Sequence, residues 1–222
     1  MKIDSIPVRE VLHFLGWRGS PVDENTLFEI REMIELALQE IEPRVSSIRK
    51  KIVPCIVLEG TRFGPAGHAI QEMLLPCHEA ILVAGTLGAQ SERLLLRIQA
   101  QDAAKALLLD AVLSAAIEAL MDAQEDALRS RIEAEGLYLT DRFSPGYGDM
   151  PLSQSREICE VLDAQRRIGL TVSKSGIMIP RKSVTAVMGV SRVPVKRRPK
   201  GCEGCEHRET CALSRVQSKG RN

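Results

Sequence analysis

From Ser91 to about Glu135 the chain contains no proline and no glycine, and it is rich in alanine and leucine. Such a run is expected to be almost continuously helical. Between Ala103 and Met121 the apolar residues fall on every side of the helix, the mark of a central helix buried on all faces. Its alanines let neighbouring elements come close, and Gly136 supplies the C-terminal stop. A chain built on this helix must wrap its other elements around it. With 222 residues it is long enough for one large domain, or one domain and a tail. Hydrophobic residues make up 44% but aromatics only 3%, so the core is expected to be Leu, Ile, Val and Ala. Few aromatics also argue against a stacking platform for single-stranded nucleic acid. A net charge of +1 argues against a general electrostatic binder of nucleic acid or membrane.

The flanking segments alternate between helix and strand patterns. Pro7 to Trp17 places Val8, Val11, Leu12 and Leu15 on one helical face, with Gly16 as a stop. Residues 22–42 predict an amphipathic helix capped by Asp23 or Asn25 and ended by Pro43. Lys51 to Leu58 predicts a strand in which Pro54 marks an edge or a bulge. A short helix over 66–75 and a buried strand over Glu79 to Ala84 follow. Beyond the central run, residues 152–168 predict a helix ended by Gly169. Ile177 to Ile179 and Val184 to Val190 are expected to pair as neighbouring strands. Few strands, several helices and no regular βαβ alternation give an α+β fold, with helices packed on a small antiparallel or mixed sheet. At Arg192 the composition changes to a basic, proline-containing linker, which places a boundary between a domain of residues 1–192 and a tail of 193–222.

The segment between the central helix and the next one carries the candidate chemistry. Arg142-Phe143-Ser144-Pro145-Gly146-Tyr147-Gly148-Asp149 has the form R-x-x-x-G-Y-G-D. One cation leads into a Pro-Gly turn, followed by an aromatic ring and a carboxylate. A guanidinium is a planar fork that grips a carboxylate in bidentate fashion. The glycines let main chain approach a ligand. Such a loop suits a small zwitterion. No Ser-His-Asp set or paired-carboxylate constellation is present, and His13, His68 and His78 are scattered on the flanks of elements.

The tail holds Cys202-x2-Cys205-x5-Cys211. Two sulfurs at C-x2-C spacing can grip one zinc ion or iron–sulfur cluster, with His207 or another cysteine as a fourth ligand. Free thiols are the alternative. The basic run 196–200 suggests a nucleic-acid contact, but Glu203, Glu206 and Glu209 follow it, and a solvated linker or a docking patch for an acidic partner is expected. No apolar run reaches the ~18–20 residues of a membrane span, and the N-terminus lacks the apolar core of a signal peptide, so a cytoplasmic location is expected.

The loop RFSPGYGDMP, the helix after it and the segment LTVSKSGIMIPRKSVTAVMGV resemble the activation (reactivation) domain of cobalamin-dependent methionine synthase. That family has an R-x-x-x-G-Y loop for S-adenosylmethionine and a downstream segment of the type L-T-E-S-x-A-M-x-P-x-x-S-V-S-G. Leu170-Thr171, Ser173, Met178, Pro180, Ser183-Val184 and Gly189 match the second motif, with Val172 in place of its glutamate. VREVLHFLGWRG near the N-terminus and the GTLG of 85–88 are similar to the free-standing, shorter form of the domain. The resemblance spans roughly residues 5–192 and implies a module that binds S-adenosylmethionine over a corrinoid.

In the family, a cobalamin oxidised by accident is reduced by one electron and remethylated from S-adenosylmethionine. The chain has no Asp-x-His-x-x-Gly for a corrinoid, so the resemblance implies a cobalamin on a separate methionine synthase or related corrinoid protein. It also implies a flavodoxin- or ferredoxin-type reductant. Carried over by residue, Arg142 would hold the ligand carboxylate, Gly146 and Tyr147 would offer main-chain contacts, and the backbone of Phe143 would face the adenine side. An acid on the preceding helix would meet the ammonium group; Glu118 is the candidate, with Ser114 as the alternative register. The family's tyrosine pair has no counterpart, since Tyr138 and Tyr147 are the only tyrosines.

Overall fold

The computed structural model describes residues 3–17 and 21–195. The architecture is α+β, as the patterns predict. A five-stranded sheet of order β2-β1-β3-β7-β4 is formed by β1 (Arg44–Val53), β2 (Val57–Leu58), β3 (Cys77–Thr86), β4 (Tyr138–Leu139) and β7 (Ser183–Ser191). Every pairing in it is antiparallel, so of the two sheet types expected it is the antiparallel one. A separate two-stranded sheet joins β5 (Thr171–Val172) to β6 (Met178–Ile179).

The sheet is the middle of three layers. Along β3, Ile81 and Val83 enter one core, and Ala80, Leu82 and Ala84 the other. Side chains alternate across a strand, so a strand covered on both faces must be apolar throughout. On the first face lie α1 (Val8–Phe14), α2 (Glu24–Glu40), α4 (Ala89–Gln99) and α5 (Ala103–Ala134). On the second lie α3 (His68–Leu74), α6 (Gln154–Val161) and α7 (Ala164–Ile168). At 32 residues, α5 is about 48 Å long. It touches the sheet where β3 carries no side chain: a Cβ built on Gly85 would stand 2.5 Å from the Met121 sulfur.

Several expectations are corrected. The run from Ser91 is two helices, not one. Asp102 breaks it by adopting an extended conformation and accepting hydrogen bonds from the N–H groups of Ala104 and Lys105 at 2.9 and 3.0 Å. The strand expected at Lys51 starts at Arg44, and Pro54 ends it by opening a 3-10 turn, Pro54–Ile56. The polar and charged residues before Lys51 hide it; of these, Arg49 is balanced in space by Glu79 at 2.5 Å and Glu135 at 2.7 Å. The helix expected over 152–168 is split by the left-handed Asp163. Ile177–Ile179 does not pair with 184–190; β6 folds back on β5, and β7 lies between β3 and β4. Asp23, rather than Asn25, caps α2, accepting from the Thr26 N–H at 2.9 Å. Apart from residues 193–195, the tail lies outside the described residues, and so do Cys202, Cys205, Cys211, His207 and the basic run. Among the described residues no helix is long and apolar enough to cross a membrane.

Candidate functional site

After β4 the chain stays beside β7. Thr140 donates its N–H to the Gly189 carbonyl at 2.9 Å, and Phe143 exchanges hydrogen bonds with Val187 at 2.9 and 2.8 Å. Two residues, Asp141 and Arg142, therefore stand opposite one, Met188. An extra residue on one strand re-aims its side chains, as in a β-bulge. Here the bulge turns Arg142 toward α5.

On α5, Glu118, Asp122, Glu125 and Arg129 follow one another at intervals of three or four residues and share a face. Arg142 meets three of them. Its Nε donates to Glu125 Oε2 at 2.9 Å, its Nη2 donates to Asp122 Oδ1 at 2.5 Å, and Glu118 Oε2 is 3.6 Å from the same Nη2. Glu125 is only 3% exposed, and its other oxygen accepts from Arg129 Nη2 at 2.8 Å. Arg129, also buried, donates to the Leu139 carbonyl at 2.5 Å and lies 3.5 Å from Asp141. Arg129 thus covers the open edge of β4, whose carbonyls have no further strand to bond. Four carboxylates face two guanidiniums in this network. Partial burial raises the Glu118 carboxyl above its ordinary value; Arg142 opposes the shift, and Asp122 and Glu10 reinforce it.

The rest of the loop is held by its own hydrogen bonds. Gly146, at φ +94°, donates its N–H to the Met150 carbonyl at 2.9 Å, and Met150 returns one to the Tyr147 carbonyl at 3.1 Å. Phe143 is buried with its ring against Gly148. Its N–H and C=O are both taken by Val187, so the main chain expected to face an adenine is part of the sheet. Tyr147 is 70% exposed. The carboxylate of the motif, Asp149, is used by the fold. It accepts from the N–H groups of His68 and Ala69 at 2.5 and 3.1 Å and caps α3 from a distant part of the chain. Those two hydrogen bonds hold its carboxyl below the ordinary value. Gly67 permits this approach, since a Cβ there would lie 2.9 Å from Asp149 Oδ1.

The structure thus brings Arg142 and Glu118 together, with Gly146 and Tyr147 on the following turn. Ser114, the alternative to Glu118, accepts instead from Lys182 Nζ at 2.8 Å. Sequence reading missed Asp122, Glu125 and Arg129; their helical spacing beside Glu118 was the available signal. Two surface depressions of about 370 and 390 Å³ flank α6, and neither is lined by Arg142, Gly146 or Tyr147. Among the described residues no group of three or more His, Cys, Asp or Glu side chains could hold a metal ion.

No family model matches the chain. No curated protein matches it either. Among solved structures, it is similar to the crystal structure of the MetH reactivation domain bound to AdoHcy, with a TM-score of 0.58 and 16% identity. The similarity covers 88% of this chain and 78% of that one. At this identity the likeness is one of fold.

Proposed function

We propose that this chain binds S-adenosylmethionine at the Arg142 loop and presents it to a corrinoid carried by a separate protein, a methionine synthase or a relative. The observation that carries the reading is Arg142 itself. It is fixed through Nε by a buried carboxylate, while its Nη1 bonds no described residue. A guanidinium anchored on one edge by a buried acid and met on another by a half-exposed one suits the carboxylate of an amino-acid ligand. Glu118 and Asp122, both half-exposed, are placed to balance an ammonium or sulfonium. Gly146 and Tyr147 would border the ligand. The fold it shares with a domain crystallised with AdoHcy agrees with this reading.

The corrinoid supplies the nucleophile, and a flavodoxin- or ferredoxin-type donor would supply the electron. This chain's share is then to bind and orient the methyl donor. Calorimetric titration with S-adenosylmethionine tests it. Binding that Arg142→Ala weakens by about 2 kcal/mol is expected, the worth of a charge-assisted contact. No heat at high micromolar ligand, for the protein alone and with its corrinoid partner, overturns it.

The Cys202-x2-Cys205-x5-Cys211 spacing favours a second reading, a zinc or iron–sulfur accessory protein of a corrinoid pathway. A visible chromophore after anaerobic preparation, lost in the Cys202→Ser/Cys205→Ser variant, supports the cluster. Stoichiometric zinc lost in the same variant supports zinc. A colourless, metal-free protein overturns both.

A further inference from the structure

We infer that Asp122 holds, in the ligand-free protein, the place on Arg142 that a ligand's carboxylate takes, and so acts as a built-in competitor for the site. The inference rests on the reading of the Arg142 loop as a ligand site. Its ground is the inequality of the three carboxylates around one guanidinium. Glu125 is buried, takes Nε at 2.9 Å and is itself tied to Arg129 at 2.8 Å. It cannot leave without taking from two guanidiniums their most buried carboxylate, which is unfavourable. Glu118 stands 3.6 Å from Nη2, beyond hydrogen-bond reach. Asp122 does reach Nη2, at 2.5 Å, and its side chain is 48% exposed.

The buried contact fixes the guanidinium, and the exposed contact masks its outer edge. Opening this half-exposed pair brings Asp122 to water while Arg142 keeps its bond to the buried Glu125, so the contact is the cheapest of the three to exchange. The exchange requires Asp122 to release Nη2 and nothing of Glu125 to move. A ligand carboxylate then engages Nη1 and Nη2 together, the bidentate geometry that Asp122 does not use. The exchange replaces one carboxylate with another, so Arg142 is never left without an anion. Once displaced, Asp122 stands beside Glu118 on the same face of α5, four residues away. The pair leaves a negative field around the bound ligand, which suits a ligand that carries positive charge next to its carboxylate.

Calorimetry with two probes tests the inference: S-adenosylhomocysteine, which has the amino-acid end, and 5′-methylthioadenosine, which lacks it. Asp122→Asn is expected to bind S-adenosylhomocysteine about fivefold more tightly than the unmodified chain, the worth of a half-exposed pair removed from competition. Its affinity for 5′-methylthioadenosine is expected to be unchanged. Asp122→Ala serves as a second variant, with thermal melts confirming that both fold. In the Arg142→Ala background the gain should vanish. Unchanged or weaker S-adenosylhomocysteine binding by the Asp122 variants overturns the competitor, and weaker binding makes Asp122 a direct ligand contact. A gain that persists without Arg142 also overturns it. Arg142→Ala binding as tightly as the unmodified chain overturns the site reading itself, whatever Asp122 does.

Discussion

Glu125 and Arg142 meet at 2.9 Å through a carboxylate whose second oxygen holds Arg129 at 2.8 Å, so one buried acid fixes two guanidiniums. Removing the shared partner takes from each cation its most deeply buried carboxylate, leaving Arg142 to the half-exposed Asp122 and Arg129 to the more distant Asp141. Glu125→Ala is expected to cost about 3–5 kcal/mol of stability, as breaking a buried pair does. Asp122→Ala, which opens a half-exposed contact, should cost under ~1 kcal/mol. Urea denaturation of the two variants checks the ordering; equal losses would show that Glu125 is not the anchor.

The cap that Asp149 places on α3 makes part of the stability depend on acid. The folded-state value of Asp149 lies below its ordinary 3.8, because the N–H groups of His68 and Ala69 bond the ionised form. The unfolded chain therefore binds the proton more readily than the folded one. The contribution is complete above the ordinary value and is lost as pH falls through the folded value. Asp149→Ala should lower the melting temperature by a few degrees at pH 7, and the gap should close below about pH 4. Asp23, whose carboxyl is lowered mainly by the Thr26 N–H, should behave in the same way on α2. Melting curves at stepped pH measure both; a gap that stays constant into acid would refute the capping role.

The half-buried Cys77 and the buried Cys159 should be slow to react and the exposed Cys55 fast. Burial pushes both Cys77 and Cys159 up to about 11, with Glu160 adding to the shift at Cys159. The thiolate is the reactive species, so alkylation of these two should stay slow at neutral pH and accelerate as pH rises toward that value. Cys55 is exposed on the turn after β1 and should be alkylated first of the three. Peptide mapping after timed iodoacetamide treatment separates these cysteines from those of the tail. Rapid labelling of Cys159 at pH 7 would contradict its burial.

The parts of the fold legible in the sequence are those where a local signal and the tertiary environment agree. Asp23 caps α2 as its residue type suggests, and Gly136 and Gly169 end helices in the left-handed conformation. Apolar β3 announced a strand covered on both faces. Several of the failures trace to partners distant along the chain. In β1, Arg49 carries a charge that Glu79 and Glu135, far along the chain, balance. Asp102 could have been read as a cap, but the apolar density on either side of it concealed the break. At the site, Arg142 was visible by type, and Glu118 only through the family resemblance. The role of Asp149 was not, because its partners lie some 80 residues earlier on α3. The inequality of Glu118, Asp122 and Glu125 around Arg142 was equally hidden, since it depends on how deeply each lies and not on what it is.

Two aromatic residues four positions apart in one loop should separate folding from binding. Phe143 is buried, with its main chain locked to Val187 and its ring packed where Gly148 leaves room. Truncating it opens a cavity in the core, and Phe143→Ala is expected to cost about 3–5 kcal/mol. Tyr147 is 70% exposed, and Tyr147→Ala should change stability by no more than ~0.5 kcal/mol. If the loop borders the ligand, the order reverses for affinity: Tyr147→Ala should weaken S-adenosylmethionine binding several-fold in a protein that melts normally. Phe143→Leu, which keeps most of the apolar volume, should bind nearly as well as the unmodified chain. Paired melting and titration of the three variants measures this. A Tyr147→Ala protein with full affinity would move the ligand away from the turn and leave the α5 face of Arg142 as its sole contact.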